Sequence, residues 1–270
     1  MGVTYAVTDR FNLSLGIPLI EASWSLPTPT SPLPPGPRAE QNASGMGDIS
    51  LTGRYWMLPA DRKHNVSLGL GIKVPTGSDD ETDVYPNIDG SNAVEKPVDQ
   101  SIQPGDGGWG ILLDVQAFHQ MRHVTLFGSG TYLANPKDTN DTPSILVGLG
   151  FGSNPTFEEE GILVNSVPDQ YLLRLGAVAP FGSSGWAASL AGRLEGLPRY
   201  DLLGDSHGWR RPGYEIFAEP GLAYSKGAWT ATLNVPIGLY RNRRPNPYSG
   251  REGDATFPDY IVLTALSYRF

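Results

Sequence analysis

Hydrophobic and polar residues alternate with a period of two in one segment of this chain after another. In residues 11–19, Phe11, Leu13, Leu15, Ile17 and Leu19 share one face, and Asn12, Ser14, Gly16 and Pro18 the other. Residues 65–75 set Val66, Leu68, Leu70, Ile72 and Val74 against Asn65, Ser67, Gly69, Gly71 and Lys73. Residues 229–239 set Trp229, Ala231, Leu233, Val235, Ile237 and Leu239 against Thr230, Thr232, Asn234, Pro236 and Gly238. Successive side chains of a β-strand point to opposite faces, so this period predicts strands. Further strands are expected near 2–8, 48–57, 109–118, 124–134, 170–180, 186–196, 213–224 and 260–270. No amphipathic helix competes, and the fold class is all-β with eleven strands.

Strand length selects the architecture. Soluble sandwiches use strands of about 5–6 residues, whereas a tilted strand needs about 9–11 to cross a bilayer. The polar face of these segments is Ser, Thr, Asn, Gly and scattered charge, which suits a wet lumen. Hydrocarbon offers no partner to a backbone N–H or C=O, so a spanning sheet has to close on itself. The expected architecture is a transmembrane antiparallel up-and-down β-barrel occupying residues 1–270 as one domain. Tyr5, Trp56, Trp109, Trp186, Tyr214, Tyr224, Trp229, Tyr240 and Tyr260 lie near strand ends, as interfacial aromatic girdles do.

The connections alternate in length. Tight ones fall at Thr8–Arg10, Leu58–His64, His119–His123, Phe181–Gly185 and Ser225–Ala228, and long ones at 20–47, 76–108, 135–169, 197–212 and 241–259. Bacterial outer-membrane barrels have short periplasmic turns and long extracellular loops. The last segment ends in Phe270, with Tyr268, Leu266, Thr264 and Val262 on its face. It resembles the C-terminal signal read by the outer-membrane assembly machinery, an expected partner. With the final strand running down, the first runs down as well, and bacterial single-chain barrels have an even strand count. The expectation is therefore a twelve-stranded barrel whose first strand and signal peptide precede Met1. Ser144–Gly152, with Ile145, Val147, Leu149 and Phe151 alternating, pairs in this reading with Gly161–Asn165 as a hairpin inside a long loop.

Composition narrows the chemistry. Gly (33) and Pro (24) are a fifth of the 270 residues, hydrophobic residues reach 39% and charged residues 18%. A net charge of −8 speaks against nucleic acid as a partner. The absence of cysteine excludes disulfides, zinc ribbons and thiol nucleophiles. No P-loop, His-Glu-x-x-His or Gly-x-Ser-x-Gly motif occurs, and no cofactor is expected. His119 and His123 have ligand spacing for a helix but flank a turn, which makes them surface histidines. Asp201, Asp205, Ser206 and His207 in the fourth long loop are the one hydrolase-like set, and they lack an evident orienting scaffold. Asp79, Asp80, Glu81, Asp83, Asp89, Glu95, Asp99 and Asp106 crowd the second long loop. Calcium suits clustered carboxylates, but without EF-hand spacing they read as a solvated acidic loop.

Two sets of charged residues follow from the alternation. Facing the lumen are Asp48, Arg54, Lys73, Asp114, Arg174, Arg193, Glu195, Glu215 and Glu219, of mixed sign, so no single-sign field selects ions. Leu112, Phe118, Phe127, Leu133, Leu172, Phe217, Ile261 and Leu263 share that face and make the wall amphipathic, favouring small, partly apolar solutes over sugars or phosphate. Arg210, Arg211, Arg241, Arg243, Arg244 and Arg251 form a basic cluster at the outer rim. Arginine forks match phosphate, which points to lipopolysaccharide; folding back onto lumenal carboxylates is the equal alternative.

Leu70–Gly77, Val167–Tyr171, Gly208–Tyr214, Pro220–Tyr224, Val235–Arg243 and the terminal Tyr-Arg-Phe resemble the bacterial outer-membrane family named for the MetA pathway of phenol degradation. The resemblance implies passage of aromatic or other hydrophobic compounds and brings no catalytic residues. The expected function is a porin-like outer-membrane channel of a Gram-negative bacterium for passive uptake of small hydrophobic or aromatic compounds. A structural or adhesive barrel comes second, and a hydrolase using His207 third.

Overall fold

The computed structural model describes residues 1–28, 38–253 and 257–270. Strands β1 (Gly2–Ala6) and β2 (Phe11–Gly16) lead into a hairpin of β3 (Leu19–Pro27) and β4 (Arg38–Met46). Next come β5 (Ile49–Trp56), β6 (His64–Val74), a short hairpin of β7 (Thr82–Tyr85) and β8 (Val94–Pro97), then β9 (Gly110–Gln120) and β10 (Thr125–Ala134). A third excursion holds β11 (Thr139–Pro143), helical turns over Val147–Phe151, α1 (Pro155–Glu159) and β12 (Val164–Ser166). The chain then runs through β13 (Gln170–Pro180), β14 (Trp186–Leu197), β15 (Gly213–Lys226), β16 (Trp229–Asn234), β17 (Ile237–Arg243) and β18 (Leu263–Tyr268).

One antiparallel sheet joins β1, β2, β5, β6, β9, β10, β13, β14, β15, β16 and β18 in that order, with β17 also on β15. All eleven expected strands are present, the tenth as two pieces, β16 and β17. Proline supplies no N–H to a ladder, and the break falls at Pro236; Val235 still donates to the Pro220 carbonyl at 2.9 Å. Beyond the break Phe217 faces Gly238 but Ile216 faces Tyr240, a register shift that inserts one extra residue in β17. Such a bulge reverses the side-chain phase, so Arg241 comes opposite Glu215 on the inner face. Among the described residues the sheet stays open between β1 and β18.

The faces of the sheet are inverted relative to a soluble protein. Along β6, Asn65, Ser67, Gly71 and Lys73 are buried, while Val66, Leu68, Leu70 and Ile72 are exposed, Leu70 by 64%. β15 buries Glu215, Phe217 and Glu219 and exposes Ile216. Exposed and half-buried aromatic residues gather at both ends of the strands. Trp186 packs on Tyr224 and Trp229 on Tyr268, each pair 4.8 Å apart, at the short-turn end. Tyr214 and Tyr240 meet at 6.0 Å at the other end. Trp56, expected in a girdle, instead turns inward and meets Phe118 edge-on at 5.8 Å.

The long connections are not simple loops. Segments 29–37 and 254–256 of the first and last lie outside the described residues. The first connection contains β3–β4, the second β7–β8, and the third β11–β12. The expected hairpin of Ser144–Gly152 with Gly161–Asn165 is corrected: Thr139–Pro143 pairs with Val164–Ser166, and Val147–Phe151 is helical. Gly150 takes a left-handed φ of 100°, which ends any extended run there. Helical turns then bring Ile145 and Leu149, four apart, to one buried side. Asn154 caps α1 by accepting from the Thr156 and Phe157 amides.

These excursions pack together as a cap over the long-connection end of the sheet. Its core is Tyr85, Ile145, Leu149, Ile162 and Trp209, joined through the half-buried Trp24 to a second cluster of Ala43, Val98 and Ile102. Replacing the fully buried Ile162 by Ala is expected to cost the cap about 2–5 kcal/mol. Limited proteolysis should then cut the long connections faster, while the circular dichroism of the main sheet is unchanged.

Candidate functional site

Alternation delivers charges to the inner face, and each of the nine singled out in the sequence sits in an ion pair. Arg54 donates to Asp114 at 2.8 Å. Lys73 binds Asp106 and lies 3.4 Å from Asp48. Arg174 bonds Glu219, while Arg193 bonds Glu195 and lies 3.7 Å from Glu219. Glu215 accepts from Arg241 Nε at 3.0 Å. Most of these side chains are largely shielded from water. Removing one partner of such a pair strands the other, which costs about 3–5 kcal/mol for a buried pair.

The rim arginines do not gather. Arg210 is fully buried and holds Asp201 through both terminal nitrogens, Nη2 at 2.6 Å, with a third bond to the Pro198 carbonyl. Arg211 forms a fork with Asp99 in the second connection. Arg241 bridges Glu215 and Asp259, and Arg251 reaches Glu160 at 2.8 Å. Arg243, the last residue of β17, stands opposite Gly213, and Arg244 follows it, both exposed. Arg210, Arg211, Arg241 and Arg251 thus meet carboxylates on four different parts of the chain. Of these four, Arg241 meets one of the lumen-facing set, Glu215, as the folding-back alternative has it, while the other three meet carboxylates of the connections.

The loop set around His207 is likewise committed elsewhere. Asp201 is held by Arg210 and accepts the Asp169 amide at 2.8 Å. His207 stacks on Tyr248 with ring centroids 4.1 Å apart. Among the described residues no hydrogen bond joins His207 to Asp201 or Asp205. His119 lies beside His64, ring centroids 5.9 Å apart. No group of three or more His, Asp or Glu side chains that could hold a metal ion occurs among the described residues.

The acidic second connection is more buried than its composition suggests. Asp99 accepts from the Ser101 amide at 2.8 Å and hydroxyl at 2.6 Å besides Arg211. Burial works to raise its pKa, but Arg211 and Ser101 outweigh it and hold the carboxyl below the usual range. Asp106 goes the other way, because burial lifts its pKa more than Lys73 lowers it. Asp169, which the sequence did not single out, is a hub that accepts from Tyr132 Oη at 2.6 Å and from the Asn135 and Leu202 amides at 2.7 Å. Only the Asp99-x-Ser101 turn pattern carries a local signal; the partners of Asp169 and Asp99 lie too far along the chain.

Between cap and sheet lies a cavity of about 920 Å³. Two neighbouring rows of inner-face residues cross its wall: Leu112 opposite Leu133 in one, and Leu172 opposite Glu195, itself opposite Glu215, in the other. Leu112, Leu133 and Leu172 make an apolar patch, with Lys73, Asp48 and Asp106 to one side and the two glutamates to the other. Trp24 and Phe257 contribute from the cap side. The site therefore offers an apolar surface edged with polar groups, the usual make-up of a small-molecule pocket.

Residues 3–103 match the family described as "Putative MetA-pathway of phenol degradation". The resemblance read from the sequence is borne out over this stretch, which runs from β1 to just short of β9 and includes Leu70–Gly77. No curated protein matches the chain.

A depressed carboxyl pKa stabilises the fold above the unfolded value near 4, and that contribution disappears as pH falls through the folded value. Asp99→Asn is therefore expected to weaken the cap by about 3–5 kcal/mol at pH 7. The same variant should flatten the loss of stability below about pH 4. Denaturant titrations followed by tryptophan fluorescence across pH 2–7 check both effects.

Proposed function

We propose that this chain builds an outer-membrane β-barrel through which small hydrophobic or aromatic compounds pass by passive uptake. The observation that carries the reading is the inverted sheet. A wall with leucine, valine and isoleucine outside and paired charges inside suits lipid on one side and water on the other. β1 and β18 run in the same direction, because ten antiparallel steps separate them. Antiparallel closure therefore takes one more strand, giving twelve and leaving no backbone edge in the lipid. Phe270, exposed at the end of the last segment, is the natural contact for the assembly machinery. In this reading Arg244, exposed just beyond β17, meets lipopolysaccharide phosphates.

The cavity supplies selectivity. Polyhydroxylated solutes gain little from Leu112, Leu133 and Leu172, whereas an aromatic ring covers them. The inner face mixes both signs in ion pairs and sets up no field of one sign across the wall, so the wall does not select ions as a class. The reading assigns no catalysis and no cofactor, and the family description, tied to phenol degradation, is in keeping with an aromatic cargo.

A structural barrel is the second reading, favoured by the pairing of all nine inner charges and by the folded cap. Flux separates the two. Full-length protein in liposomes should speed uptake of phenol or toluate over empty vesicles while leaving a sugar of similar size unaffected. Equal rates with and without protein for every solute support the structural barrel.

The membrane location has its own test. Leu70→Arg should cost about 2–4 kcal/mol of folding free energy in lipid, against about 0.5 kcal/mol or less at a water-exposed site. Refolding titrations into bilayers measure this, and a negligible effect would argue for an aqueous setting.

A further inference from the structure

Two carboxylates stand directly opposite each other on the cavity wall, Glu195 on β14 and Glu215 on β15. Like charges facing across a sheet repel, and the arginines beside them are shared. Arg193 serves Glu195 and Glu219, and Arg174 also serves Glu219. Arg241 serves Glu215 and Asp259. Around this corner three guanidinium groups face four carboxylates, so one negative charge is left over. A second observation is independent of that balance. Glu215 is only 2% exposed, and its Oε1 is taken by Arg241, yet Oε2 is buried with no hydrogen-bond donor among the described residues. A buried carboxylate oxygen left without a donor is costly. Gly238 makes room for the carboxylate itself, since a Cβ there would collide with Glu215 Oε1.

We propose that Glu215 Oε2, with Glu195 facing it, is a polar anchor in the cavity for small ligands that carry a protonated amine on an apolar or aromatic body. An ammonium group brings the missing positive charge and several N–H donors, and it can bond both carboxylates at once. The apolar body lies along Leu172 in the same row and along Leu133 and Leu112 in the row beside it. A neutral hydroxyl donor fills Oε2 with one bond but adds no charge, and a carboxylate ligand is repelled. Two carboxylates that each keep an arginine offer a metal ion too few free oxygens, since Ca²⁺ takes six to eight ligands.

This inference rests on the reading of the cavity as a solute site. The test is isothermal titration of full-length protein in detergent micelles with three probes of one shape: benzylammonium, benzyl alcohol and benzoate. Benzylammonium should bind roughly ten- to a hundredfold more tightly than benzyl alcohol, with benzoate weakest. Glu215→Gln, which keeps an acceptor for Arg241, should erase the preference for benzylammonium while benzyl alcohol binds as before. Glu195→Gln leaves the Glu215–Arg241 pair intact and should reduce the preference, which keeps the idea testable if the first variant folds poorly. Binding of benzyl alcohol as tight as benzylammonium, or a preference that survives both variants, overturns the anchor and leaves the cavity standing as an apolar site. Failure of all three probes to bind removes the solute site and the anchor together.

Discussion

Putting the polar face inside obliges every charge on it to find a partner, and the rest of the structure follows from meeting that demand. Water around an exposed ion pair makes the pair worth little. On a shielded inner face the same groups are costly alone and tolerable only together. The strands supply partners across two ladders: Arg54 to Asp114 from β5 to β9, and Arg174 to Glu219 from β13 to β15. A sheet whose inner charges bond across intervening strands is held to one register, because a slip of one residue sends each charge to the lipid-like face. Where the strands cannot deliver a partner, irregularity does. The break at Pro236 and the bulge in β17 turn Arg241 inward to Glu215, so an apparent defect in the tenth strand completes the pairing.

The cap extends the same solution to the long connections. It has an apolar core of its own around Tyr85, Ile145 and Trp209, unlike the sheet, whose apolar side chains point away from the protein. The two halves thus follow opposite solvation rules within one chain. Their joint is polar: Asp106 reaches Lys73, and Asp169 takes the Tyr132 hydroxyl of β10. The cavity lies at this joint, where neither half fills the space with its own side chains.

How much was legible in the sequence depends on the range of each interaction. The strands were, because a period of two over nine or more residues is a local signal that Val66 to Val74 or Trp229 to Leu239 states on its own. The inner-face residues followed from the same period. The cap was not. Ile145, Val147, Leu149 and Phe151 alternate as a strand would, and only glycine at Gly150 and packing of Ile145 with Leu149 turn them helical. Asp99 and Asp106 looked like members of a solvated acidic run, since nothing nearby announces Arg211 or Lys73. The arginines of the last connections suggested a phosphate-binding rim for the same reason. Composition shows which charges exist, and tertiary structure decides which carboxylates they meet.

The Asp99–Arg211 bond closes a loop spanning 112 positions. A contact between such distant residues carries a closure entropy that intervening structure lowers by drawing the ends together. The strands between them, β9 to β14, have to be in register before Asp99 can gain its counter-ion. The cap thereby depends on the sheet: Asp99 reaches Arg211 where the strands between them are paired in order, so a chain with a misplaced strand is expected to leave its long connections open to protease.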